Sequence, residues 1–182
     1  MKNKAIYRLV LAALMAALTC MATMVIRIPS PMGGYVNLGD GLVLLSAWLL
    51  GPLYGAAAAG IGSMMADVLG GYFHYVPGTL IIKAGIAVAA YFTARAIQGG
   101  KPGRNVAAWI VGGIVGEAVM VLGYFCYASL FLGKGLAAAA SIPGNLVQGA
   151  AGIIISVILV GLLNRTGVIE KIGLTAWNGK NK

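Results

Sequence analysis

The sequence predicts an all-α integral membrane protein, one bundle of six transmembrane helices, on the strength of three observations. Sixty per cent of its 182 residues are hydrophobic and nine per cent charged, whereas soluble globular domains carry about a quarter charged. Apolar runs of spanning length, about twenty residues, recur without the alternation that a β-barrel requires. Within or beside those runs stand Asp40, Asp67, Lys83 and Glu117, and charge at membrane depth is costly enough to mark a polar interior. A chain of this length has room for about five to seven spans and for no soluble domain beside them.

The helices are expected at 8–28, 38–50, 53–70, 77–96, 105–127 and 143–164. Lys2, Lys4 and Arg8 precede the first apolar run as they would in a signal peptide, but that run continues from Leu9 to Ile28, longer than a signal core of about 7 to 15 residues. Thr19 stands where a lipoprotein signal needs a small residue before Cys20. The first helix is therefore expected to stay in the mature chain. Cys20 and Cys126 fall inside expected spans and read as small hydrophobes, not as a disulfide or metal pair.

Gly51-Pro52 separates two apolar runs that are together too long for one straight span, which predicts a tight helical hairpin. The second helix is short for a span, so it is expected to tilt or kink, with Asn37 or Asp40 as its N-cap. The long connections, Pro29 to Val36 and Ala128 to Ile142, fall on one side of the membrane. Ten of the thirteen Lys and Arg residues (Lys2, Lys4, Arg8, Arg95, Lys101, Arg104, Arg165, Lys171, Lys180 and Lys182) fall in the termini or the connection between the fourth and fifth helices. Six spans put all of these on one face, so the positive-inside rule places both termini in the cytoplasm. The net charge of +9 is thus mostly an orientation signal, and with the basic residues dispersed a nucleic-acid partner is not expected.

Several helix faces carry chemistry. Ala12 with Ala16 and Ala13 with Ala17 form two overlapping pairs of small residues that would let another helix approach, from a partner or from within the bundle. The third helix aligns Ala56, Gly60, Ser63, Asp67 and Gly70. Lys83, about two turns into the fourth helix, is the nearest cation in sequence to Asp67, so the two read either as a structural pair or as groups facing a ligand cavity. The fifth helix aligns Gly113, Gly116, Glu117, Met120, Tyr124 and Tyr127, a polar, aromatic wall suited to a flat ring with polar edges. A buried, protonated Glu117 with a purely structural role is the competing account. In the sixth helix, which opens at Pro143-Gly144-Asn145, Asn145, Gln148, Gly152 and Ser156 share a face. Two amides one turn apart offer donors and acceptors to a neutral heterocycle, or to neighbouring helices. No cofactor or metal is expected.

The order Gly34-Tyr35-Val36-Asn37-Leu38-Gly39-Asp40, then Leu49 to Ala56, then Ile61-Gly62-Ser63 with Ala66-Asp67, resembles the substrate-binding S component of energy-coupling factor (ECF) vitamin transporters. Pro77, Ile81 to Lys83, Met120 to Tyr124 and Ile142 to Gln148 extend the resemblance over nearly the whole chain. It is most similar to the branch associated with riboflavin, hydroxymethylpyrimidine and pyridoxine-type substrates. The resemblance implies a six-helix vitamin-capturing subunit in the bacterial plasma membrane. Its outward pocket would be capped by Pro29 to Asp40 and Ala128 to Ile142, and would involve Lys83, Glu117, Tyr124, Asn145 and Gln148. Asp67, Tyr35 and Asn37 complete the expected substrate-binding set. The implied partners are a transmembrane coupling (T) subunit, docked on Ala12, Ala13, Ala16 and Ala17, and two cytoplasmic ATPases.

The residues agree with that division of labour, because the sequence contains no Gly-x-x-x-x-Gly-Lys-Ser/Thr loop for ATP. Two other classes of function compete for the same residues. An intramembrane enzyme using Asp40, Asp67 and a metal lacks a clustered acidic motif or a histidine set, since His74 is the only histidine. An autonomous proton-coupled transporter could use Glu117 or Asp67 as proton carrier, but the internal repeat of broken helices is not visible. A riboflavin-specific S component remains the alternative within the resemblance.

Overall fold

The computed structural model describes residues 2–98 and 104–167. Lys101, Lys171, Lys180 and Lys182, four of the basic residues used to orient the chain, lie outside the described residues. The elements in order are α1 (Lys2–Val25), β1 (Arg27–Pro29), β2 (Tyr35–Asn37), α2 (Asp40–Gly70), α3 (Val76–Gln98), α4 (Arg104–Cys126), a π-helical turn (Tyr127–Phe131), a 3-10 turn (Gly135–Ser141) and α5 (Ile142–Arg165). Among the described residues, five helical segments are long and apolar enough to cross a membrane.

The expected second and third helices are one element, α2, broken at Gly51, whose φ of 81° and ψ of −176° leave the helical region. Only glycine adopts that conformation readily, and Pro52, with its ring-fixed φ and no N–H to satisfy, starts the second arm at residue 52. The chain folds back there: a Cβ at Gly55 would lie 2.7 Å from the Ser46 carbonyl oxygen, and no straight helix brings residues nine apart together. The two arms, 40–50 and 52–70, therefore run antiparallel, and both ends of α2 reach the end of the bundle that carries the strands.

Other boundaries differ from expectation for local reasons. α1 stops at Val25, not 28, because Arg27–Pro29 pairs antiparallel with Tyr35–Asn37, Arg27 opposite Asn37. The supposed loop from Pro29 to Val36 is thus largely a β-hairpin. α2 is capped by Gly39 and receives no side-chain cap bond. Neither Asn37 nor Asp40 is its N-cap; Asn37 Oδ1 accepts the Gly39 N–H at 2.8 Å, and Asp40 is used elsewhere. The expected connection from Ala128 is helical for much of its length, through the π-helical and 3-10 turns.

The α2 hairpin sits at the centre, packed on α1, α3 and α5, with α4 closing the ring against α3 and α5. Leu44, Trp48, Ile86, Met120 and Val160 form the deepest apolar core. α1 settles the register of its small residues: Ala12 is buried and Ala16 half-buried, with a Cβ at Gly62 placed 2.4 Å from the Ala16 carbonyl oxygen, while Ala13 and Ala17 are exposed. The inner pair is consumed in packing on α2 and the outer pair is free. Arg95 and Arg165 close α3 and α5 at the end of the bundle opposite the strands.

Candidate substrate-binding site

The left-handed Gly71 after α2, with the Tyr72 N–H on the Asp67 carbonyl at 2.8 Å, ends the second arm. That fixes Asp67 one turn before the helix end, 4% exposed, facing β2. Tyr35 donates its hydroxyl to Asp67 Oδ1 at 2.6 Å. Arg27 lies over the Tyr35 ring, 5.7 Å from its centroid. Burial, with the hydrogen bond to Asp67 and that carboxyl's charge, pushes the Tyr35 phenol well above its ordinary pKa, so it stays a donor.

The fold-back at Gly51 has a second effect. It returns Asp40, the first residue of α2, to the level of Lys83 on α3, and the two form a fully buried ion pair. Of the two accounts left open for Lys83 and Asp67, the direct pairing does not form: Lys83 binds Asp40, while Asp67 binds Tyr35. Gln148 of α5 completes the cluster. Its Nε2 donates to Asp40 Oδ2 at 2.6 Å and its Oε1 accepts the Asn37 backbone N–H at 2.7 Å. Met120 of α4 presents its sulfur 3.5 Å from Lys83 Nζ and 3.3 Å from Gln148 Nε2. A buried charge pair is stable only when its remaining lone pairs and protons are satisfied, and here α5 and α4 supply the further partners, Gln148 to Asp40 and Met120 to Lys83.

Beside this cluster, at the strand end, opens a cavity. About 50 Å³ of it admits the centre of a water molecule, within about 550 Å³ of unfilled space that includes the mouth. Tyr35, Asn37, Asp67, Lys83, Tyr124, Asn145 and Gln148 all line it. Seven of the eight expected binding residues are thus brought together. Thr79 and Tyr124 share a hydroxyl hydrogen bond of 3.0 Å along one wall. The β-hairpin and the 127–141 segment meet over the mouth, where Lys134 Nζ donates to the Met32 carbonyl and Tyr75 donates to the same oxygen at 3.1 Å.

Glu117 is placed elsewhere. It is 5% exposed, packs where Gly149 and Gly152 leave room for it, and opens on a separate, largely apolar groove between α4 and α5. Neither carboxylate oxygen has a hydrogen-bond partner among the described residues. Tyr127 also turns away from the expected wall and donates to the His74 carbonyl at 2.8 Å.

Sequence reasoning missed Asp40 as the cation's partner, because its position at a helix start suggested a cap. The available signal was a lone carboxylate at the head of an apolar run, with an unpaired lysine elsewhere in the chain. Thr79, Tyr75 and Lys134 gave no comparable signal.

A family model described as the ECF-type riboflavin transporter, S component, matches residues 3–165. The chain belongs to this family. As an S component it is a membrane protein and not an enzyme. A solved chain described as the S component of a bacterial ECF transporter has the same fold, with a TM-score of 0.64 at 21% identity, covering 91% of this chain and 98% of that one. Among curated proteins, the S component is 29% identical to the thiamine precursor transporter HmpT of Lactococcus lactis subsp. cremoris over 172 residues, 93% of this chain and 95% of that protein. It is also 40% identical over 136 residues to an uncharacterized protein in the gap 3' region of Pyrococcus woesei, 73% of this chain and 85% of that protein.

Proposed function

We propose that this S component captures a small aromatic vitamin or vitamin precursor, of pyridoxine or hydroxymethylpyrimidine type, in the strand-end cavity and delivers it across the membrane. The observation that carries this reading is the cavity itself: tyrosines, amides and a carboxyl surround a narrow space beside the buried Lys83–Asp40 pair, which Gln148 also bonds. Aromatic walls with a few convergent polar groups are what a flat, polar-edged ligand needs. The relationship to a thiamine precursor transporter supports the same class. Tyr35, Asn37, Asp67, Tyr124 and Asn145 would contact the ligand or shape its contacts, Lys83 and Gln148 would form the floor, and Glu117 would lie behind that floor.

In this reading both arms of α2 cross the membrane, giving six crossings with both termini in the cytoplasm and the cavity facing outward. Arg95 and Arg165, at the end opposite the strands, fit that orientation. A transmembrane T subunit docks on the exposed Ala13 and Ala17 face of α1, and two cytoplasmic ATPases supply the energy. Riboflavin is the second reading, favoured by the family model's description; the narrow interior suits one ring better than three.

The test is calorimetry on the purified full chain with pyridoxine, hydroxymethylpyrimidine, thiamine and riboflavin, alongside mass spectrometry for co-purified ligand. Tight one-to-one binding of one compound is expected. Riboflavin as the only binder would select the second reading, and no binding across the panel would overturn both. Uptake by this chain without partner subunits would overturn the ATPase-driven part.

A further inference from the structure

Resting on that capture reading, we infer that Ser63 and Asp67 form the selecting subsite of the cavity. Its ligand is a neutral nitrogen heterocycle with an exocyclic amino group beside a ring nitrogen. Two orphaned atoms carry the inference: Ser63 and Asp67 both line the cavity, and their Oγ and Oδ2 atoms are buried with no hydrogen-bond partner among the described residues. The two residues stand four apart on the second arm of α2, so they are neighbours on one helix face.

Most other polar groups of the wall are committed. Lys83 is held by Asp40, Gln148 uses its carbonyl on the Asn37 N–H and its amide on Asp40, and Tyr35 donates to Asp67 Oδ1. The Thr79 and Tyr124 hydroxyls bond to each other. Besides the Asn145 amide, an entering ligand therefore meets on the α2 wall one oxygen that still needs a donor and one hydroxyl that can donate. Burying such groups unsatisfied is unfavourable, so a ligand that satisfies both gains more than one that satisfies neither.

An amino N–H directed at Asp67 Oδ2, with the adjacent ring nitrogen accepting from Ser63, meets both needs with neighbouring ring atoms. A ring carbonyl beside an N–H presents the reverse order and sets its oxygen against the carboxyl. A phosphate or carboxylate substituent finds no free cation in Lys83, which Asp40 already neutralises.

The experiment is calorimetry on the purified full chain with 4-amino-5-hydroxymethyl-2-methylpyrimidine, its 4-oxo analogue and its phosphate ester, and with pyridoxine and riboflavin. The wild type should bind the amino compound at least tenfold more tightly than the oxo analogue or the phosphate. Asp67→Asn keeps a carbonyl for Tyr35 and presents an amide N–H to the cavity. It should weaken the amino compound at least tenfold without weakening the oxo analogue, which narrows or reverses the preference. Ser63→Ala should weaken the amino compound severalfold and leave the oxo analogue unchanged. Equal losses for both analogues, or no loss, in the two variants would overturn the subsite. A wild type that binds pyridoxine or riboflavin but not the aminopyrimidine would overturn the subsite and leave the capture reading standing; one that binds none of the five would overturn both.

Discussion

Lys83 and Asp40, 43 residues apart in sequence, meet as an ion pair with both side chains almost fully excluded from solvent. Removing one partner leaves the other charge buried and uncompensated, which costs about 3–5 kcal/mol. Lys83→Met should therefore destabilise the protein by about that amount, read as a drop in unfolding temperature in detergent. The double variant Lys83→Met with Asp40→Asn should recover part of the loss, because no bare charge remains.

Tyr35→Phe strips the donor from Asp67 Oδ1. An orphaned buried acceptor costs about 1–3 kcal/mol, so the variant should be less stable by that order near neutral pH. The sign of its pH dependence follows from the raised phenol pKa. The contribution of Tyr35 is complete below the unfolded value of about 10 and is lost as pH rises beyond it. Unfolding measured from pH 7 to 11 should show the wild type and Tyr35→Phe converging above about pH 10.

Gly51→Ala places a Cβ at φ 81° in the break of α2. Strain of this kind costs about 1–3 kcal/mol. Circular dichroism melts should show a lower unfolding temperature with unchanged helix content; an unchanged temperature would mean that the fold-back does not depend on this conformation.

Asn145→Ala should weaken ligand binding severalfold while leaving the unfolding temperature within a degree or two of wild type, since no hydrogen bond of Asn145 supports the fold among the described residues. Glu117→Gln, outside the cavity lining, should change affinity less than twofold. Its effect should fall on stability, with an unfolding temperature at or above that of wild type in the same melts, because the carboxyl it replaces is buried with no hydrogen-bond partner among the described residues.

Ala13→Leu with Ala17→Leu should abolish uptake in cells that express the coupling subunits, yet leave ligand binding by the purified chain intact. Both residues are exposed on α1, and close helix approach requires small side chains. Binding lost together with uptake would show that this face serves the fold and not a partner.

Composition and the length of the apolar runs determined the class by themselves, because a bilayer demands about twenty apolar residues per crossing whatever the topology. The fold-back at Gly51-Pro52 was legible for a similarly local reason: glycine and proline constrain the backbone wherever they stand. The faces carrying Asn145 with Gln148, and Ser63 with Asp67, followed from helical periodicity. Partnership did not. Which carboxylate Lys83 would meet, which alanine pair of α1 would stay exposed, and whether Glu117 would reach the cavity all depend on how helices rotate and slide against one another. Only the tertiary structure decided these, because charge pairing and close packing act through space between segments whose separation along the chain carries no record of their distance.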